Sequence, residues 1–82
     1  MAEADRYKTN LKITIADCIR EKSIAMETRG TTPRRIYLGM EEWVRLRNET
    51  PWLLKIQSIQ EKVMLDGKII HLVMDNNHLE VA

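Results

Sequence analysis

Two histidines and an aspartate near the end of the 82-residue sequence are the first residues whose types could do chemistry. Imidazole and carboxylate groups are common ligands of zinc and iron, so His71, Asp75 and His78 raise the question of a metal site. Their spacing matches no established ligand pattern, and only His71 falls in a stretch that predicts a strand. We therefore expect no metal and no other cofactor, with His71 on a strand and His78 in a turn.

Cys18 is the single cysteine of the chain, and a nucleophilic role would require a neighbouring base and an accessible, electropositive setting. The sequence instead places Cys18 on a helical apolar stripe with Ile15 and Ile19, where a free cysteine usually packs as a small apolar group. The three glycines are isolated, so there is no glycine-rich phosphate loop. These observations predict a protein that is not an enzyme.

Arginines are frequent between residues 29 and 47, and such a cluster could contact the phosphates of a nucleic acid. Glutamates are interspersed in the same region, and the whole chain, with 13 Lys plus Arg against 12 Asp plus Glu, carries a formal net charge of only +1. A solvated, mixed-charge surface is therefore expected, and a nucleic-acid-binding regulatory protein is the alternative function. The arginines concerned are Arg29, Arg34, Arg35, Arg45 and Arg47.

The first 29 residues predict a long N-terminal helix, because neither glycine nor proline occurs from residue 2 to residue 28. Arg29-Gly30 should end this helix. Its apolar residues fall on two opposite sides, one with Leu11, Ile15 and Ile19 and the other with Ile13 and Ile24. The alternation in "LKITI", residues 11 to 15, fits a half-buried strand as well, and both interpretations remain open.

Residues 30–82 predict a small α+β core. A strand over residues 35–38 precedes a helix over residues 40–49, whose apolar face would carry Met40, Trp43 and Val44. Thr50-Pro51 suits the start of a second short helix. Asp66-Gly67 between apolar β-branched runs predicts a hairpin turn, and a short last strand follows residues 75–78. The expected fold is one α+β domain, residues 1–82: long N-terminal helix, short strand, helix, antiparallel β-hairpin and short last strand.

The two apolar sides of the N-terminal helix predict self-association. A core this small can cover one side, so the other, with Ile13 and Ile24, would be left for a second copy. We expect a homo-oligomer, most simply a dimer, joined through the predicted interface residues Leu11, Ile13, Ile15, Ile19 and Ile24. A further protein partner is expected but is not identified by the sequence.

The expected location is the cytoplasm, and no membrane association is expected. The start, "MAEADRYK", lacks the apolar core of a secretion signal, and one cysteine cannot form an internal disulfide. The apolar runs are also far shorter than the ~20 residues that a membrane-spanning helix needs.

The order "TPRRIYLGMEEWVRLRNE" followed by "LDGKIIHLVMDNNHLEV" resembles small phage and prophage proteins, and it looks like the peripheral domain of tailed-phage major capsid proteins. The resemblance covers residues 32–82 and implies a phage-related accessory or assembly protein. The remaining capsid domains are lacking and an N-terminal helix is added, so a shell-forming role is not expected. The resemblance implies framework positions at Ile36, Leu38, Trp43, Leu46, Gly67, Ile69, Ile70 and Val73.

Overall fold

A computed structural model describes residues 13–57 and 62–82 of the chain. Within them the fold is α+β, as predicted, with two α-helices packed on a five-stranded mixed sheet. The helices are α1, Ile15–Thr28, and α2, Met40–Glu49, and a single 3-10 turn, Pro51–Leu53, follows α2. The strands are β1, Arg35–Leu38; β2, Leu54–Gln57; β3, Lys62–Leu65; β4, Lys68–Leu72; and β5, Leu79–Val81.

The strand order in the sheet is β2-β3-β4-β1-β5. β1 is parallel to β4, with Ile36 opposite Ile70, and antiparallel to β5, with Ile36 opposite Val81. Because side chains alternate along a strand, Ile36 and Leu38 project to the same face, and both are fully buried there. The helices pack on this face. Together the two layers form the core of Ile15, Ala16, Cys18, Ile19, Ile36, Leu38, Leu46, Leu65 and Leu79.

The predicted hairpin at Asp66-Gly67 is confirmed. Asp66 and Gly67 both have positive φ, 51° and 76°, as a two-residue type I′ turn requires. Leu65 is therefore opposite Lys68, and Met64 is opposite Ile69. The last strand is also present, as β5.

Helix α1 begins at Ile15 and residues 13 and 14 are not helical, so the prediction of one continuous helix from near residue 2 is corrected; residues 1–12 lie outside the described part of the chain. Thr14 has extended backbone angles and caps the helix: its Oγ1 accepts from the Asp17 N–H at 3.1 Å, and the Asp17 carboxylate accepts from the Thr14 N–H. This reciprocal cap stops helical geometry at residue 14. A strand reaching residue 15 is also excluded, while residues 11 and 12 lie outside the described part of the chain.

The end of α1 is as predicted. Gly30 has φ +85°, a conformation that glycine adopts without steric cost. Its N–H donates to the Glu27 carbonyl, and the Thr31 N–H donates to the Met26 carbonyl, both at 2.9 Å. This pair of bonds is a Schellman ending, which satisfies carbonyls that the helix leaves without partners.

Helix α2 has the predicted bounds, but only Trp43 of its predicted apolar face packs against the core. Met40 and Val44 are exposed, Trp43 is partly buried against the core, and the fully buried residues are Glu42 and Leu46. Glu42 can be buried because its Oε1 accepts from the backbone N–H of His78 at 2.7 Å. A hydrogen-bonded carboxylate thus lies on the buried face of the helix, although the amphipathic pattern placed that face at Met40, Trp43 and Val44.

The loop of residues 75–78 holds the start of α2. The carbonyls of His78, Asp75 and Asn76 accept from the N–H groups of Gly39, Met40 and Glu41, respectively, at 2.9, 3.2 and 3.1 Å. These donors belong to the first turn of the helix, where no intrahelical acceptor exists. The loop therefore replaces the side-chain cap that Gly39 cannot provide.

A second correction concerns Thr50-Pro51. The predicted short helix is limited to the turn Pro51–Leu53, and the chain then continues as β2, which is antiparallel to β3. Ile56 is opposite Val63 in this strand pair. The local helix signal is overridden because the backbone of β2 gains hydrogen bonds to β3.

The described residues contain no helix that is both long and apolar enough to span a membrane.

Candidate binding groove

A groove of about 420 Å³ separates α1 from the end of the sheet that carries β2. Helix α1 forms one wall with Ala16, Ile19, Arg20, Ser23, Ile24 and Glu27. The 3-10 turn, β2 and the hairpin of β3 and β4 form the other wall, with Trp52, Leu53, Lys55, Leu65, Asp66 and Lys68.

The 3-10 turn places the aromatic part of the groove. Pro51 begins the turn, and the Leu53 N–H donates to the Thr50 carbonyl at 3.1 Å. Leu53 consequently packs against the core, whereas Trp52 stays 73% exposed at the groove. An exposed tryptophan beside a concave, partly apolar surface is typical of a binding region.

Lys68 is the unusual charged residue of the groove. It follows the hairpin turn on the same face of the sheet as Leu65, and its side chain is only 8% exposed. Its Nζ is 3.4 Å from both the carbonyl oxygen and Oδ2 of Asp66. Charge-assisted hydrogen bonds are normally about 2.7–2.9 Å long, and the Asp66 side chain is 91% exposed. The Lys68 side chain is thus largely buried, and its counterion is well hydrated.

The other polar groups of the groove are more ordinary. Arg20 and Lys55 contribute two exposed cations, and Glu27 and Asp66 contribute two exposed carboxylates. Ser23 is buried, and its hydroxyl donates to the Ile19 carbonyl at 2.8 Å within α1. With Lys68, the lining contains three cations against two carboxylates.

The predicted interface residues do not form one surface. Ile15 and Ile19 are buried in the core of their own domain, so they are not available to a partner, and this part of the prediction is corrected. Ile13 precedes α1 and packs against the core, which means that it shares no helix face with Ile24. Among the predicted interface residues that the structure describes, only Ile24 is exposed, at 54%, and it lines the groove. Leu11 lies outside the described residues.

Hydrogen bonds of Ile13 and Ile15 with the end of α2 fix the position of residues 13–15. Arg45 Nη2 donates to the Ile13 carbonyl at 2.9 Å, and Glu49 Oε1 accepts from the Ile15 N–H at 2.9 Å. Arg45 and Glu49 also form an ion pair at 2.8 Å. The end of α2 thus clamps the start of α1.

The five arginines considered for nucleic-acid binding are spread over three parts of the fold. Arg29 is the C-terminal cap of α1, Arg34 directly precedes β1 and Arg35 begins it, and Arg45 on α2 is paired with Glu49. The Arg47 guanidinium stacks over the Trp43 ring, 5.6 Å from its centroid. None of the five lines the groove, and nucleic-acid binding stays a prediction.

The residues first considered for chemistry are also dispersed. The His71 ring stacks on Tyr37 with 5.3 Å between centroids, and His78 Nε2 is 3.2 Å from Glu80 Oε1. Asp75 contributes a backbone carbonyl to the start of α2, and Cys18 is buried in the core. Across residues 13–57 and 62–82, no group of three or more His, Cys, Asp or Glu side chains is arranged to hold a metal ion.

Lys68 and Trp52 were not among the predicted site residues, although the sequence contains a signal for Lys68. A two-residue turn at Asp66-Gly67 puts Lys68 directly opposite Leu65, on the face that Leu65 shares with the core. Its burial could therefore have been predicted from the hairpin register. Trp52 had no such signal, because its position depends on where the 3-10 turn ends and β2 begins.

Comparisons with known proteins add no family or function to this description. No protein-family model matches the sequence, and neither the curated proteins nor the solved structures compared with it gave a match.

Proposed function

We propose that this protein is a non-enzymatic interaction module that acts as a small homo-oligomer in the cytoplasm, in a phage-related accessory or assembly role. The observation that carries the proposal is that three apolar side chains near the β2 end of the sheet, Ile24, Trp52 and Ile56, are exposed. We call these three residues, together with the edge of β2, the β2-edge surface. The phage-related role rests on the sequence resemblance over residues 32–82.

The β2-edge surface combines side chains and backbone that favour association. Ile24, Trp52 and Ile56 are 54%, 73% and 75% exposed, and burial of apolar area contributes roughly 25 cal/mol per Å². Within the described residues, β2 has a neighbouring strand on one side only. An edge strand presents unpaired N–H and C=O groups to which another strand can add.

A second copy of the chain is the simplest occupant of this surface. Two β2 strands related by a twofold axis can pair antiparallel, which extends both sheets and brings the two Ile56 side chains into contact. This arrangement replaces the predicted helix pair as the proposed mode of self-association, because Ile13 and Ile15 are already engaged within one domain. Ile24 is the predicted interface residue that stays in the new surface.

Sedimentation velocity at micromolar concentrations tests the proposal. We expect the wild type to sediment above the 9.6 kDa monomer, and we expect Ile56→Glu and Ile24→Glu to shift it to the monomer. Val44→Glu is the matched control, because Val44 is an exposed apolar residue on α2, outside the β2-edge surface. A monomeric wild type overturns the proposal, as does dissociation caused by Val44→Glu alone.

The phage-related role has its own test, which is the content of the genes beside this one. Neighbouring genes for phage structural or assembly proteins agree with the proposal. A location among genes of host metabolism, without phage genes nearby, contradicts it.

A further inference from the structure

The charge distribution of the groove differs from that of a simple apolar contact surface. The Lys68 ammonium lies in it with its side chain only 8% exposed, and its contacts with Asp66 are 3.4 Å long. A buried cation is unfavourable unless an anion and close hydrogen-bond acceptors compensate it. Asp66 compensates it poorly, because its carboxylate is almost fully in water. The chain itself therefore compensates the positive charge of Lys68 only in part.

The surroundings of Lys68 are apolar and of suitable size. Ile19, Leu53 and Leu65 line the same groove, and Trp52 stands at its exposed side. Its volume of about 420 Å³ falls within the roughly 300–1,000 Å³ that is usual for small-molecule sites. An apolar body of several carbon atoms can therefore lie between α1 and the 3-10 turn while one end reaches Lys68.

We propose that the groove binds a small apolar carboxylic acid, with the carboxylate on Lys68 and the apolar body between Ile19 and Trp52. Charge complementarity selects the anion. The titratable side chains that face the site are Arg20, Lys55 and Lys68 against Glu27 and Asp66, which leaves one excess positive charge. A bound carboxylate can replace Asp66 as the counterion of Lys68 without burying the Asp66 side chain, because that side chain is already in solvent.

Binding of octanoate, followed by ¹⁵N–¹H NMR spectroscopy, tests the proposal. We expect saturable shifts of the Ser23 and Lys68 amides and of the Trp52 indole N–H, the last assigned with Trp52→Phe. Octan-1-ol has the same chain without the charge, so it should bind at least about tenfold more weakly, as expected for loss of a charge-assisted hydrogen bond. Equal affinity for octanoate and octan-1-ol overturns the proposal, as does the absence of saturable shifts.

Two lysine variants separate the buried site from general attraction of anions. Lys68→Met should weaken octanoate binding by about tenfold or more while the protein remains folded, because methionine retains most of the apolar volume. Lys62→Met, at an exposed position of β3 that does not line the groove, should change the affinity less than about twofold, as expected for a solvated charge. Equal effects of the two substitutions contradict a site built on Lys68. If Lys68→Met fails to fold, the comparison of octanoate with octan-1-ol on the wild type still decides the matter.

Binding and self-association are measured separately, because Ile24 and Trp52 belong to both the groove and the β2-edge surface. The titration is therefore repeated with Ile56→Glu, since Ile56 does not line the groove. We expect octanoate to bind this variant with affinity within about twofold of the wild type, so binding there supports the site even if the oligomer proposal fails. A wild-type oligomer without octanoate binding refutes the site alone.

Discussion

Replacing Gly39 with alanine tests how tightly the loop of residues 75–78 packs against the start of α2. A Cβ atom at residue 39 would lie 2.6 Å from the Asp75 carbonyl oxygen, 2.7 Å from Glu42 Oε1 and 2.8 Å from the His78 nitrogen. Two of these three atoms belong to the backbone, so no simple side-chain rotation relieves the contacts. Gly39 itself has φ −74° and ψ 174°, which alanine adopts readily. The cost is therefore steric.

The magnitude follows from the hydrogen bonds that the loop must give up when it moves. The His78 N–H donates to the buried Glu42 carboxylate at 2.7 Å, and the Gly39 N–H donates to the His78 carbonyl at 2.9 Å. A bond to a charged group contributes about 1.5–3 kcal/mol and a neutral one about 0.5–1.5 kcal/mol. Loss of one of each predicts that Gly39→Ala lowers the free energy of unfolding by about 3 kcal/mol.

Equilibrium unfolding in guanidinium chloride measures this loss, and Gly30→Ala is the matched control. A Cβ atom at residue 30 would meet no heavy atom within 4 Å, but the φ of +85° at Gly30 is unfavourable for alanine. Backbone strain of this kind costs roughly 1–2 kcal/mol. The expected order of stability is wild type, Gly30→Ala, then Gly39→Ala. A Gly39→Ala midpoint equal to that of the wild type would refute the packing argument, and so would a larger loss for Gly30→Ala.

Two further predictions use the same unfolding measurement. Thr14→Ala removes the reciprocal cap with Asp17 and should lower the free energy of unfolding by about 1 kcal/mol. Thr28→Ala, at the exposed end of α1, is the control and should lower it by less than half as much. Equal losses for the two variants would show that the cap is not stabilising. Leu46→Ala leaves a cavity at a fully buried position and should lower the free energy of unfolding by about 2–5 kcal/mol. Val44→Ala, on the exposed side of α2, should change it by less than about 0.5 kcal/mol. A larger loss for Val44→Ala than for Leu46→Ala would support the apolar face predicted from the sequence.

Elements whose bounds depend on residues adjacent in sequence were predictable from the sequence. The Asp66-Gly67 turn needs two residues with positive φ, and the flanking residues then pair in a single register. The end of α1 at Arg29-Gly30 and the bounds of α2 are local in the same sense. The true start of α1 was also readable, since Thr14 and Asp17 have the spacing of a capping box, but the long run without glycine or proline favoured an earlier start.

Features that depend on distant contacts were not predictable in this way. β2 is a strand because β3 pairs with it, although Thr50-Pro51 locally favours a helix. Glu42 is buried because His78, 36 residues later, donates to it. The position of β1 between β4 and β5 likewise requires contacts between the two halves of the chain. No sequence period within a single element contains this information.

The two ends of the sheet differ in how completely their buried charges are satisfied. At the start of α2, the buried Glu42 carboxylate accepts a short hydrogen bond of 2.7 Å from the His78 backbone N–H of the folded chain. At the groove, the largely buried Lys68 side chain contacts Asp66 at 3.4 Å, beside an exposed tryptophan and, within the described residues, an edge strand. Because an incompletely compensated charge and exposed apolar area both gain free energy from a suitable partner, the groove end is where binding is favourable. Substitutions near Glu42 should therefore reduce stability, whereas substitutions near Lys68 should reduce binding and leave the fold intact.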